Sequence, residues 1–258
     1  TQVAGLASAS VTALTSSQVN SLTSTQVQSL TSTQLNALDT ADVAAMTTSL
    51  VQALTTAQLP QVATGQIAAL TTSQVSNLTT GQVAALSTAQ VSAMSTAQIL
   101  ALGTAQVNAM TTSQLNALSE TQVQALGTAD VAALTNNQVA GLSSTNVTAL
   151  SSSQVQALTT GQLQSLSSTQ LNALDPADIG AMGTSQVAAL TTAQVGKLSN
   201  NSLEGLTTTQ IGALSSTQVA ALTTSQVAAL SDAQVGSMGT AQVAGLTAAQ
   251  FTAMNEGQ

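Results

Sequence analysis

The sequence predicts an all-α fold, a repeat solenoid of very short capped helices with one helix per octapeptide. Three observations carry this. Leucine or a stand-in recurs every eight residues from Leu6 to Met254 without insertion or deletion, as 25 Leu, six Met and Val62 over 32 positions. The residue after it is Thr, Ser, Asp, Asn or Gly everywhere except Ala7 and Ala63, and those types are the ones favoured at helix N-caps. Three residues beyond the cap stands Gln in most octads, with Asp42, Asp130 and Asp178 as acidic variants. A hydroxyl followed at this distance by Gln is a capping box, in which each side chain bonds the other residue's backbone N–H.

The remaining positions agree. Leucine falls just before the cap, and the fourth helical position is always apolar: Val, Leu or Ile, and finally Phe251. The two make a hydrophobic staple. The residue before each leucine is Ala, Gly or Ser except at Gln61, Asn77 and Lys197. A single long helix is excluded, because eight residues overshoot two turns by about 80°, so the apolar pair would drift around the cylinder. The chain should instead bend at each cap, giving helices of about five or six residues that are stable only when stacked. Two octads per layer would give a rod of about 150 Å, at 9–10 Å per helix layer. The alternative is a β-solenoid with half a coil per octad. Against it, residues five apart face opposite sides of a strand, and no Gly or Asn marks fixed corners.

In chain order, Thr1-Gln2-Val3 enters in mid-octad without its cap, and Ala7 and Ser10 weaken the next unit. Residues 15–38 are regular. Asp39 and Asp42 then hold cap and third position of one octad, and Leu50 replaces Gln in the following one. Residues 59–63 (Leu59-Pro60-Gln61-Val62-Ala63) are the main irregularity. Pro60 removes a backbone donor late in its helix, which predicts a kink or loosened turn within a single solenoid spanning 1–258, since the count of eight runs through. Pro176 lands at the first helical position, where proline is welcome. Lys197 to Glu204 is a second less regular patch. Leu35–Met46 reappears, slightly changed, at Leu171–Met182, a sign of growth by duplication. The start at Thr1 rather than Met suggests processing or a piece of something longer.

Composition bounds the function. There is no Cys, His, Trp or Tyr, and a single Phe. This removes disulfide, zinc and His- or Cys-based chemistry, and aromatic stacking on bases. One Lys and nine acids give a net charge of −8, which disfavours nucleic acid and anionic membranes. No apolar run approaches membrane-spanning length. Charged residues make up 4% of the chain, against roughly 25% in ordinary soluble domains. A surface of Ser, Thr, Gln and Asn invites end-to-end or lateral self-association.

Eight of the nine acids fall in a first helical turn, where the helix dipole favours them; Glu204 does not. Capping therefore explains them, and the weighed alternative is a calcium site or carboxylate pair such as Asp175 with Asp178. The glycine- and aspartate-bearing calcium nonapeptide and the EF-hand loop are both absent. Few threonines outside the cap are expected to recur strictly enough for a flat hydroxyl lattice. Each recurrent Gln either serves its own helix start or joins a ladder between stacked units. With Lys197 in an ordinary slot and no base for a Ser nucleophile, the reading is catalytic residues none, cofactor none and metal none: not an enzyme.

The unit L-[ST]-x-x-Q-V-x-A, as in Leu190-Thr191-Thr192-Ala193-Gln194-Val195, resembles octapeptide tandem repeats of very large bacterial secreted or cell-surface, adhesin-like proteins. The resemblance covers essentially the whole chain. It implies an extracellular or cell-surface structural role and no particular receptor. The expected function is a rod- or filament-forming scaffold, with an adhesin stalk or an ice- or surface-binding module as the alternative.

Overall fold

The computed structural model describes residues 3–258; of the entry segment, Thr1 and Gln2 lie outside the described residues. Contacts divide the chain into two compact units, Thr1–Ala133 and Leu134–Gln258. The described residues form thirty α-helices of four to six residues and two 3-10 helices, with no strand. The β-solenoid is thereby ruled out.

The break between helices falls where the sequence places it. In Thr80–Ala85 the cap Thr79 has φ −71, ψ 157; after it Leu86 (φ −60, ψ 141) and the next cap Ser87 (φ −72, ψ 158) are two extended residues that separate it from the next helix. Thr79 Oγ1 accepts from Gln82 N at 3.1 Å, and Gln82 Oε1 accepts from Thr79 N at 2.9 Å. The first ring closes from Val83 N to Thr79 O at 3.0 Å, and Leu86 N returns to Val83 O at 3.2 Å. This box and double closure recur in most octads. Ala7 and Ala63 supply no side-chain cap.

Three octads make one turn in each unit. In the first, Ser24–Ser29 packs on Thr48–Ala53 and Thr104–Asn108 on Thr128–Ala133; in the second, Asn136–Ala140 packs on Thr160–Ser165 and Ser152–Ala157 on Pro176–Ala181. Partners are thus 24 residues apart. The two-octad layer is corrected, and the rod length built on it falls with it. Local capping is satisfied whatever the number of helices per turn. What selects three is burial: each corner and each helix sends one large apolar residue inward, and three of each fill the space between three short helices. Val75, Ile99, Leu115, Leu163, Leu171 and Ile211 are almost wholly enclosed. Deep burial of one such side chain stabilises by roughly 1.5–3 kcal/mol.

At Pro60 the α-helix is replaced by a hydrogen-bonded turn and the 3-10 helix Leu59–Gln61. Leu59 N still reaches Thr55 O at 3.1 Å and Leu59 stays fully buried, so the loosened turn is local. The Lys197–Glu204 patch folds regularly: Ser199 caps Asn200–Glu204, accepting from Ser202 N.

Candidate functional site

The recurrent Gln does both things open to it. Its Oε1 serves its own cap, while its Nε2 donates to the previous turn. Gln82 Nε2 reaches Val51 O at 3.0 Å and Leu54 O at 2.8 Å; in the second unit Gln210 Nε2 reaches Ile179 O at 3.0 Å and Met182 O at 2.6 Å. The acceptors lie 31 and 28 residues back, at a helix C-terminus, where carbonyls lack intrahelical partners. One amide thus closes the start of its own helix and the end of another. These glutamines are correspondingly buried, Gln90 and Gln162 to 1% exposure.

A second bridge runs the other way. Asn36 Nδ2 donates to Gln61 O at 2.9 Å and its Oδ1 accepts from Ala63 N at 2.7 Å. Asn20 does the same to Ala45 O and Thr47 N, and Asn172 to Lys197 O and Ser199 N. The octads begun by Thr47 and Ser199 have Leu50 and Ser202 where Gln should stand. Their cap N–H has no Gln to bond, and Asn from the preceding turn replaces it. These asparagines carry no mark in the octad itself. Asn20 and Asn172 stand thirty residues before a missing Gln, a signal readable once three octads per turn is known; Asn36 makes the same bridge although Gln66 stands thirty residues beyond it.

The acids cap as expected. Asp39 Oδ1 accepts from Asp42 N and Asp175 Oδ1 from Asp178 N, both at 2.8 Å. Asp42 and Asp178 themselves do something else. Asp42 Oδ1 accepts from the Ser16 hydroxyl at 2.7 Å, and Asp178 Oδ1 from the Ser152 hydroxyl at 2.7 Å, each serine on the preceding turn. Asp42 Oδ2 is enclosed without any partner. Burial pushes the Asp178 carboxyl above the usual carboxylate value; the Asp175 charge adds to this, and the Ser152 hydroxyl opposes it. Asp130 differs: its Oδ2 accepts from Gly127 N at 3.0 Å. It therefore copies the acceptor half of the glutamine. Ser16 and Ser152 are contacts that octad-level reading missed, being 26 residues from their aspartates.

The rest of the surface offers little chemistry. Lys197 and Glu204 are exposed. An apolar cavity of about 20 Å³, lined by Leu35, Val43, Val51, Val62, Ile67 and Leu70 among others, lies inside the first unit. It lacks the polar partners that hold a water. Thr occupies the first helical position in eleven of the twelve octads from Thr40 to Thr128, Glu120 being the exception, and most of these threonines are exposed. The expectation that few threonines outside the cap recur strictly does not hold for this stretch. With three octads per turn, they stand above one another from turn to turn. Among the described residues no three acidic, His or Cys side chains cluster, and no helix is long and apolar enough to cross a membrane.

A family model described as the ALTTAQ repeat matches residues 35–72, 51–88, 67–104, 76–112, 91–128, 123–160, 155–184, 168–200 and 200–232. These overlapping matches tile 35–232, the greater part of the chain. No curated protein matches it.

Proposed function

Because the chain belongs to the ALTTAQ repeat family, we propose that it is an extracellular structural protein, a repeat solenoid that builds rods or filaments and carries out no catalysis. One observation carries the reading. Successive turns are joined by the same buried glutamine bonds, as in Gln74 to Val43 and Met46 and in Gln226 to Val195 and Leu198. Such a joint can be repeated without limit and needs no ligand. The near absence of charge removes the repulsion that keeps ordinary domains apart, which favours lateral or end-to-end association of copies. A net charge of −8 with one Lys argues against a nucleic-acid partner. Negative-stain electron microscopy of the purified chain at high concentration is expected to show elongated particles or filaments; compact globular monomers alone would end this reading.

The threonine files favour a second reading, a surface- or ice-binding module. Residues 43–119 carry no charged and no aromatic side chain, and exposed Thr offers a methyl beside a hydroxyl at each step. Thermal hysteresis in the purified protein, lost on replacing Thr40, Thr64 and Thr88, which form one file, by Lys, supports it. Its absence in the parent protein excludes ice as the ligand.

A further inference from the structure

We propose that each duplicated acidic joint binds a hard divalent cation, Ca²⁺, one formed by Ser16, Asp39 and Asp42 and the other by Ser152, Asp175 and Asp178. In ordinary octads the third-position amide gives its N–H bonds to carbonyls 31 and 28 residues back. For Asp42 these carbonyls belong to Val11 and Leu14, and for Asp178 to Val147 and Leu150. Aspartate has no N–H to give. Replacing the amide by a carboxylate turns a joint of donors and acceptors into one made of oxygen alone: the carboxylates, a serine hydroxyl and main-chain carbonyls.

The decisive atom is Asp42 Oδ2. It is fully enclosed and has no hydrogen-bond partner, while its sister oxygen is engaged by Ser16. Asp42 as a whole is 4% exposed. An enclosed carboxylate oxygen without a donor is costly, and a cation removes that cost. The second copy repeats the arrangement: Asp178 is 6% exposed, its Oδ1 accepts from the Ser152 hydroxyl and its N–H bonds Asp175 Oδ1. Carboxylate, carbonyl and hydroxyl oxygens suit Ca²⁺, which takes six to eight such ligands, better than Mg²⁺ with its strict octahedron. The lack of Cys and His disfavours softer metals. Asp130 is the internal control, since its Oδ2 is satisfied by Gly127 N.

The proposal is independent of the scaffold reading and is tested on the whole chain. The protein is stripped with a chelator and titrated with CaCl₂ by calorimetry, with melting followed in parallel. Two sites per chain are expected, with dissociation constants on the order of 10⁻⁴–10⁻³ M, as in extracellular calcium modules, and a raised melting temperature. Asp42→Gln with Asp178→Gln is expected to abolish both signals. Gln is the repeat's own residue there and restores the amide donors, so this variant keeps its helical circular dichroism. Asp130→Gln is expected to bind like the parent. A parent chain that gives no calcium response well above that range overturns the proposal, as does a double variant that responds equally. Stabilisation by acid alone, with no response to calcium, assigns the site to a proton and overturns it too.

Discussion

Residues 11–46 and 147–182 are one stretch written twice, 136 positions apart, and their joints can be compared bond by bond. Thr12 Oγ1 donates to Ala37 O at 3.0 Å, and Thr148 Oγ1 to Ala173 O at 2.9 Å. The Ser16–Asp42 and Ser152–Asp178 bonds are both 2.7 Å, and the Asn36–Gln61 and Asn172–Lys197 bonds both 2.9 Å. The copies differ at ten of these 36 positions, and one of the changes has a partner on the next turn. Thr40 of the first is Pro176 in the second, and the residue 29 positions later is Ala69 in one and Gly205 in the other. A Cβ on Gly205 would lie 2.8 Å from Pro176 Cα and O. Downstream, Gln66 keeps its place in the first copy, whereas Ser202 replaces Gln in the second. The lesson is that the conserved object is a set of bonds between turns; a residue can change when its partner on the adjacent turn changes with it.

Four measurements break or sharpen this comparison, beginning with the largest expected effect. Gln170→Leu removes the donor to Val139 O and Leu142 O and the acceptor of Ser167 N. It is expected to cost about 3–6 kcal/mol in denaturant unfolding, from backbone groups left unpaired at roughly 1–3 kcal/mol each. The equivalent Gln34→Leu also strips the acceptor of Thr31 N, but its donor bonds hold only the short segment around the 3-10 helix Val3–Gly5, so it is expected to cost clearly less. Gly205→Ala is expected to cost about 1–3 kcal/mol by overpacking against Pro176, while Ala69→Gly in the other copy costs at most about 1 kcal/mol. Equal losses in the two copies would refute the pairing of Pro176 with Gly205.

Asn172→Ala leaves Ser199 N and Lys197 O unpaired at an exposed site, for about 1–2 kcal/mol. Ser202→Gln is expected to recover part of the loss, giving a non-additive double-mutant cycle; Asn36→Ala, whose octad retains Gln66, should fall below it. The smallest effect concerns pH. The folded carboxyl of Asp178 is raised above its ordinary 3.8, so the folded state holds a proton that the unfolded state has released. Stability is therefore fully present below 3.8 and declines as pH rises from there through the raised folded value. Asp178→Asn is expected to remove this slope in unfolding curves recorded with chelator present, and a slope left unchanged would count against burial of the charge.

Much of the fold was legible because its signals are local. The cap at Thr79 and the box with Gln82 involve residues three apart, and the proline at position 176 sits where a helix starts. The acids at Asp39 and Asp175 cap as their positions demand. What stayed hidden lies across turns. Ser16 with Asp42, Asn20 with the octad of Leu50, and Pro176 with Gly205 are separated by about one full coil, and nothing in one octad shows which later octad lies above it.

The sequence by itself determined where the helices begin, the octad of Pro60 excepted, because capping bonds and the staple close within eight residues whatever the chain does next. Only the tertiary structure decided that three helices complete a turn. That number depends on how many inward apolar residues fill the space between helices, and on which distant carbonyls a glutamine amide can reach once they do.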